Sequence, residues 1–521
     1  MTDRPNFLLI MADQLSALAL PAYGHPVVKA PHIDALARDG VLFEQAYCNF
    51  PFCAPARIAM LSGQLASRVG AYDNGAEMPA TIPTVMHYLR ARGYHTSLSG
   101  KMHFIGPDQL HGYEERLTTD IYPADFSTTP DWSVKGPPVS GISFRGVVEA
   151  GLCKRNLQID FDEDVHHAGL RKLYALGRGR QQRPFMLTVS YTHPHNPFNT
   201  TQAYWDRYDH DAIDLPAVPS IPYERRDPHS RRHYLLTHMD EYDMTDERIR
   251  TARHAYYGMV SYFDDKVGEL LGALDDTGLA DDTVVSLTAD HGEMLGERGM
   301  WFKMCLFERA MRVPLVVRLP AGQRERRRVT RPVSHLDVLP TMLDLSSRGE
   351  PAPLAEPIDG RSLVPMMQGG DDAHPDVVAE YTAEGAIAPC VMVRSGAHKY
   401  IWSEPDGGQL FDLAHDPHER QNLAGTAQGR EVEDAMRRRI DATWDLAALE
   451  ADVLKSQRRR RFVQPLLTFA NGRSWDYEPL QNAAEQYVRG GKTATNAKAL
   501  SRIPYVDPVL PDHPRTTAGN D

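Results

Sequence analysis

The chain has 521 residues, 42% of them hydrophobic and 24% charged, with a formal net charge of −12 at pH 7. That length exceeds one small core and predicts one large domain with a smaller companion, or two domains and a tail. The acidic balance argues against a nucleic-acid backbone as the main partner, because phosphates are met by clustered Lys and Arg.

No apolar run reaches the roughly 18 residues that span a bilayer, and MTDRPNFLLIMADQ lacks the order of charge, apolar stretch and small residues that marks a signal peptide. The five cysteines (Cys48, Cys53, Cys153, Cys305, Cys390) are odd in number and show no CxxC spacing, which favours neither a disulfide framework nor a zinc site. A reduced, cytoplasmic protein with no membrane partner is expected.

Phe7 to Met11 reads as a buried strand that delivers Asp13 to its carboxyl end, where open α/β sheets bind ligands. Pro31 to Arg38 reads as a helix with proline near its start and Gly40 as its stop. In NFPFCAPARIAML, residues 49 to 61, Cys53 lies between two prolines just before a helix, with Arg57 one turn on. Thr81 to Arg92 predicts a second helix and Tyr94 to Ser99 a strand ending in SGKMHF. PFMLTVSY is a strand ending in THPH, Asp246 to Leu274 a helix, and Thr283 to Thr288 a strand ending in ADHG. Pro314 to Leu319 (strand) and His335 to Leu345 (helix) precede a Pro/Gly-rich connector at 349 to 375. HKYIW and QLFDL suggest a small antiparallel sheet. A charged helical stretch runs from Leu423 to about Leu467, and a polar tail follows. The alternation of strand and helix is an α/β plan. It divides the chain into a main domain (1–375), a sheet subdomain (376–424) and a helical segment with tail (425–521).

Asp13 at one strand end and Asp290 with His291 at another offer carboxylates and an imidazole, a donor set suited to Ca²⁺, Mg²⁺ or Mn²⁺. Each alone reads as an ordinary turn former. Lys101 and His103 follow one strand and His193 and His195 another. With Arg57 and Lys303 they make a set of donors able to surround a tetrahedral oxyanion. Singly they are surface lysines or turn histidines; their coincidence at strand ends points to one site.

C-x-P-x-R in FCAPARIAMLSGQ, GKMHF, ADHGEMLGERGMWFK and QLFDLAHDPHERQNL together resemble the type I sulfatases of the alkaline phosphatase superfamily, from about Asn6 to Leu423. GKMHFIGPDQLHGYEERLTTDIYPADF and MLGERGMWFKM are most similar to choline sulfatases and their close relatives. The resemblance implies an alkaline-phosphatase-like sandwich, with a large central mixed sheet flanked by helices, a smaller C-terminal antiparallel sheet and an extended tail. It implies a sulfuric ester hydrolase that releases sulfate from an alkyl, choline-sulfate-like or other small organic sulfate monoester.

In that family the motif cysteine is oxidised to formylglycine, so the resemblance implies a formylglycine-generating enzyme as a maturation partner for Cys53. It also implies one divalent ion, Ca²⁺ ahead of Mn²⁺ or Mg²⁺, on Asp13, Asp290, His291 and the modified Cys53. Gln14 stands where many sulfatases have a second acid and offers an amide oxygen. One hydroxyl of a geminal diol attacks, the alcohol leaves, and deprotonation of the other hydroxyl expels sulfate as the carbonyl reforms.

Arg57 is then expected to hold the diol, and Lys101, His193 and Lys303 to neutralise the sulfate oxygens, His193 or Lys303 protonating the leaving alcohol. His103 takes the hemiacetal proton, and Asn74 and Glu384 contact substrate. Thr128 replaces the tryptophan of choline sulfatases, so another ring, such as Trp132 or Tyr122, holds the ammonium or the alcohol differs. A homodimer or homotetramer is implied, the tail meeting a neighbouring subunit. The alternative within the superfamily is a phosphonate monoester or phosphodiester hydrolase. A nucleic-acid-binding reading rests only on SQRRRRF, 456 to 462, whose ordinary reading is a carboxylate-paired or subunit-facing surface.

Overall fold

The computed structural model describes residues 4–134, 142–179, 183–347, 353–370, 376–467, 469 and 474–479. Nine strands among these residues form the main sheet, two of them only two residues long, Glu115–Arg116 and Arg312–Val313. The others are β1 (Asn6–Ala12), β2 (Val41–Tyr47), β3 (His95–Gly100), β4 (Phe185–Ser190), β5 (Thr283–Ala289), β6 (Leu315–Arg318) and β7 (Arg327–Ser334). In space they run β7-β2-β6-β5-β1-β4-β3. β1 is parallel to β4 and β5, and β3 to β4, whereas β6 is antiparallel to β5 and β2.

Every residue of β1, β4 and β5 is buried, as expected of central parallel strands covered on both faces. Their common direction puts the carboxyl ends of β1, β3, β4 and β5 along one edge of the sheet. That edge is where the polar strand ends of the sequence collect.

The main-domain helices used below are α1 (Pro31–Asp39), α2 (Cys53–Ser62), α3 (Val85–Ala91), α4 (Leu157–Arg178), α5 (Asp246–Asp276) and α6 (Val338–Ser347). α3 starts four residues later than the predicted Thr81: Pro83 disfavours helical backbone at Ile82, and Thr84 forms a capping box with His87. α4 was not expected from the sequence; Asn156 caps it, accepting from the Ile159 N–H at 2.8 Å. β2 and β7 were likewise unassigned.

Beyond the connector, which contains a short helix (Val364–Met367), β8 (Val377–Tyr381), β9 (Cys390–Ser395), β10 (His398–Ser403) and β11 (Gly407–Asp412) form an antiparallel meander. The Asn49 amide donates to Val378 O at 2.7 Å and Glu380 N donates to Asn49 O at 2.9 Å, which docks β8 beside α2. α7 (Arg430–Thr443) and α8 (Leu446–Leu467) follow. An inter-subunit role was expected of the chain beyond about residue 425; its part from residue 480 on lies outside the described residues. No helix among the described residues is long and apolar enough to cross a membrane.

Candidate active site

β1 ends in Ala12 and β5 in Ala289, paired in register, so Asp13 and Asp290 leave adjacent strands side by side. α2 begins at Cys53, which points the positive end of a helix dipole at the same spot. The ligand atoms of Asp13, Cys53, Asp290 and His291 all lie within 4.8 Å of one another, and all four residues are buried. His291 Nδ1 sits 3.0 Å from Gly292 O, which can only accept, so Nδ1 keeps its proton and Nε2 is the nitrogen turned to the cluster. That nitrogen faces Cys53 Sγ at 3.3 Å, Asp290 Oδ1 at 3.7 Å and Asp13 Oδ1 at 3.8 Å. Two carboxylates and an oriented imidazole converging on a point fit a divalent cation, and the backbone bond to Nδ1 is the support a metal-binding histidine receives.

Arg57 stands four residues after Cys53, on the same face of α2. It was expected to hold the diol; instead its guanidinium is taken up by the acids and their surroundings. Nε donates to Asp290 Oδ2 at 2.9 Å, Nη2 to Asp13 Oδ2 at 3.4 Å, and Nη1 to Ser190 Oγ at 2.8 Å and Lys101 O at 2.6 Å. Arg57 therefore fixes the two acids. Lys101 pairs with Asp13 Oδ2 and lies over the Tyr122 ring at 4.5 Å. Gly100, with φ +100°, makes this turn possible, because a Cβ there would collide with Ser190 O.

Burial opposes ionisation of Cys53, yet Lys101, Lys303 and His291 hold its thiol well below the usual range. Burial and the neighbouring Cys53 oppose charge on Asp13, and the Lys101 and Arg57 cations outweigh them. The surroundings are thus arranged for negative charge at position 53.

Cys53, Asn74, His103, Tyr122, Thr128, His195, Lys303 and Glu384 line one cavity of about 540 Å³. Here His195 takes the place expected for His193. His193 turns to Asp162, Nδ1 to Oδ2 at 2.6 Å, and packs on Tyr262, away from the cavity lining. His195 Nδ1 donates to Asn196 O at 2.6 Å, so Nε2 accepts from the Lys303 ammonium at 2.9 Å. Gln14 is a second correction: its amide oxygen accepts from Lys303, and its amide nitrogen donates to Asn196 Oδ1 at 3.2 Å, so the side chain serves Lys303 rather than the cation cluster. Asn74 Oδ1 accepts from Ala54 N at 2.9 Å, which holds the first turn of α2. Trp132 donates to Ala383 O at 3.3 Å and is not part of the cavity wall.

Residues 5–347 match the family model Sulfatase, 296–445 the model of the N-sulphoglucosamine sulphohydrolase C-terminus, and 451–502 that of the choline sulfatase C-terminus. The chain belongs to the sulfatase family. It is 43% identical over 513 residues to a choline-sulfatase of Rhizobium meliloti (strain 1021), covering 96% of this chain and 99% of that one. It is 29% identical to arylsulfatase K of Danio rerio, across 81% of this chain and 80% of the other. A solved phosphonate monoester hydrolase of Agrobacterium radiobacter superposes with a TM-score of 0.67 at 24% identity, covering 87% and 96%. That likeness establishes the shared alkaline-phosphatase-like fold. The protein is a sulfuric ester hydrolase of that fold.

Four of the nine non-glycine residues with positive φ among the described residues belong to the sulfatase site: Gln14 (63°), His103 (58°), Phe302 (67°) and Met304 (67°). Such backbone costs on the order of 1–3 kcal/mol each and persists where the surroundings over-determine it. Phe302 and Met304 bracket Lys303 and aim it into the cavity. His103 N and Met102 N donate to Asp120 Oδ2 at 2.8 and 2.9 Å, and the His103 ring stacks on Tyr122 at 4.9 Å. His103 Nδ1 is buried with no hydrogen-bond partner among the described residues.

Asp120 holds this turn, and its titration gives a pH test. Burial raises its pKa, but Arg116 at 2.7 Å, His103 and the two backbone bonds bring it from 3.8 to about 2. A pKa depressed on folding contributes about 2 kcal/mol, present above about pH 4 and lost as pH falls through 2. Urea midpoints of wild type and Asp120→Asn should therefore converge as the pH drops from about 5 to 2.

The two histidines separate in a second test. His195→Asn should lower kcat/KM by a factor of about 10² or more, because the Lys303 ammonium that serves as the acid loses the acceptor that positions it. His193→Asn should leave kcat/KM within about tenfold and show mainly as a lower melting temperature, since its bond to buried Asp162 is structural.

Proposed function

We propose that this sulfatase hydrolyses a small alkyl sulfate with a compact cationic alcohol, choline sulfate or a near analogue. Cys53 is converted to formylglycine by a formylglycine-generating enzyme, and one divalent ion, Ca²⁺ first, binds Asp13, Asp290, His291 and residue 53. The observation that carries the reading is a single cavity that joins the anion-stabilising set at Cys53, His195 and Lys303 to the carboxylate-bearing Glu384. The 43% identity to a choline-sulfatase over nearly the whole chain supports the choice of alcohol.

The hydrated aldehyde would supply both the attacking hydroxyl and the hydroxyl whose deprotonation releases sulfate, and the cation would supply charge against the sulfate oxygens. The protein's own groups do the rest. Arg57 keeps the acids in place, and Lys101 and Lys303 stabilise negative charge as it builds. Because His195 Nε2 accepts a hydrogen bond from the Lys303 ammonium, the proton for the leaving alcohol comes from Lys303, with His195 and Gln14 holding the ammonium in position. His103, with its unpartnered Nδ1, receives the proton that frees sulfate. Glu384 faces the cationic end, and the Phe52 and Tyr122 rings in the cavity wall stand in for the tryptophan absent at Thr128.

The same reading divides the chain into a catalytic domain (1–375), a sheet subdomain (376–424) that brings Glu384, and a helical segment with tail (425–521) that supports a cytoplasmic homo-oligomer. An ester panel tests the substrate. Choline sulfate should exceed 4-nitrophenyl sulfate in kcat/KM by about 10² or more, and Glu384→Gln should remove most of that advantage through KM. A comparable preference for the aryl ester would eliminate the cationic alcohol.

A further inference from the structure

α8 lies far along the chain from the catalytic strands, yet its side chains reach the back of the cavity wall. Arg460 is 6% exposed, and its Nη1 and Nη2 donate to Asp73 Oδ1 and Oδ2 at 2.6 and 2.7 Å. Nη1 also donates to Thr129 Oγ1 at 2.8 Å. Their sequence neighbours, Asn74 after Asp73 and Thr128 before Thr129, both line the cavity. The two segments touch directly, since a Cβ on Gly75 would lie 2.9 Å from Thr129 N. Gly75 N in turn donates to Asp73 Oδ1 at 2.9 Å.

The same face of α8 continues the contact at helical spacing. Gln457 Oε1 accepts from Trp132 N at 3.0 Å and Gln464 Oε1 from Phe126 N at 2.8 Å, while Asp476 Oδ1, past the helix, accepts from Ala124 N at 3.0 Å. Arg461 pairs with Asp131. Two of the arginines in SQRRRRF are therefore carboxylate-paired, and the segment 124–132 owes three of its backbone hydrogen bonds to C-terminal side chains.

We propose that Arg460 is a positioning residue for substrate selection: by binding Asp73 and Thr129 together it fixes Thr128 against Asn74, and so sets which alcohol the cavity accepts. A planar guanidinium held by both carboxylate oxygens determines direction as well as distance, which an ammonium cannot do. Asn74 is anchored independently by Ala54, so the Thr128 segment is the part released when Arg460 is lost. The sulfate-end side chains are carried by β1, β3, β4, β5, α2 and the turns that follow them, elements remote in sequence from α8. The two ends of the substrate are thus separable. This inference rests on sulfate ester hydrolysis and holds whichever alcohol the wild type prefers.

Two variants test it. Arg460→Lys keeps the charge and loses the fork; the double variant R460M/D73N removes both charges, so that no buried carboxylate is left unpaired. For each, kcat and KM are measured on choline sulfate and 4-nitrophenyl sulfate, beside the inhibition constant of inorganic sulfate. The ratio of the two kcat/KM values should move about tenfold or more, through KM, while inhibition by sulfate stays within about twofold. A ratio unchanged within about threefold, or a loss shared equally by both esters and by sulfate inhibition, would overturn the proposal. Failure of the choline reading would show elsewhere, as a wild-type preference for the aryl ester.

Discussion

Cys53→Ala leaves a folded protein that releases sulfate at least about 10⁵-fold more slowly, the scale seen when a covalent nucleophile is removed. The argument rests on how much of the site is aimed at this one side chain. Lys101, Lys303 and His291 favour an anion there against the cost of burial. Asp13 Oδ1 lies 3.9 Å and His291 Nε2 3.3 Å from its sulfur. The fold does not depend on the thiol, since Ala54, Pro55 and Ala56 continue the helix and Asn74 holds the Ala54 N–H. Circular dichroism and the melting temperature should therefore match the wild type. Mass spectrometry of the wild-type peptide spanning residue 53 should show the loss of sulfur that formylglycine entails. Sulfate release by Cys53→Ala at a rate near wild type would end the covalent reading.

Asp290→Asn should cost about 10³-fold or more in kcat, the several kcal/mol that a Lewis-acidic cation contributes. Asp290 Oδ2 is bound by Arg57 and its Oδ1 accepts from Gln14 N at 3.0 Å and from His291 N at 2.9 Å, so one carboxylate organises Arg57, the turn after β1 and the imidazole. An amide of the same shape removes the charge and leaves Arg57 facing one acid instead of two. Elemental analysis should give about one divalent ion per wild-type chain and close to none for the variant. Added Ca²⁺ should restore activity to chelated wild type and not to Asp290→Asn. Equal metal content in the two proteins would rule out the four-donor site.

The strand ends were readable because each is a local event. An apolar run followed by Asp13, by Lys101 and His103, or by Asp290 and His291 announces its chemistry within a few residues. C-x-P-x-R places Cys53 and Arg57 on one helical face whatever the rest of the fold does. The choice between His193 and His195 was not local. Both follow β4, and only Asp162 on α4, an element unassigned from sequence, draws the first away while Lys303 meets the second. Gln14 went astray for the same reason, since its amide answers Lys303, far along the chain.

From sequence alone came the class of chemistry, the α/β plan and the residues that bear charge, because hydrophobic periodicity and side-chain type act over a few positions. Tertiary structure decided which of those residues share a cavity, what Arg57 and Gln14 are bound to, and that α8 stands behind the substrate wall. Those outcomes depend on contacts between segments hundreds of residues apart, whose geometry is set by the packing of the whole sheet and its helices, and no short stretch of chain encodes that.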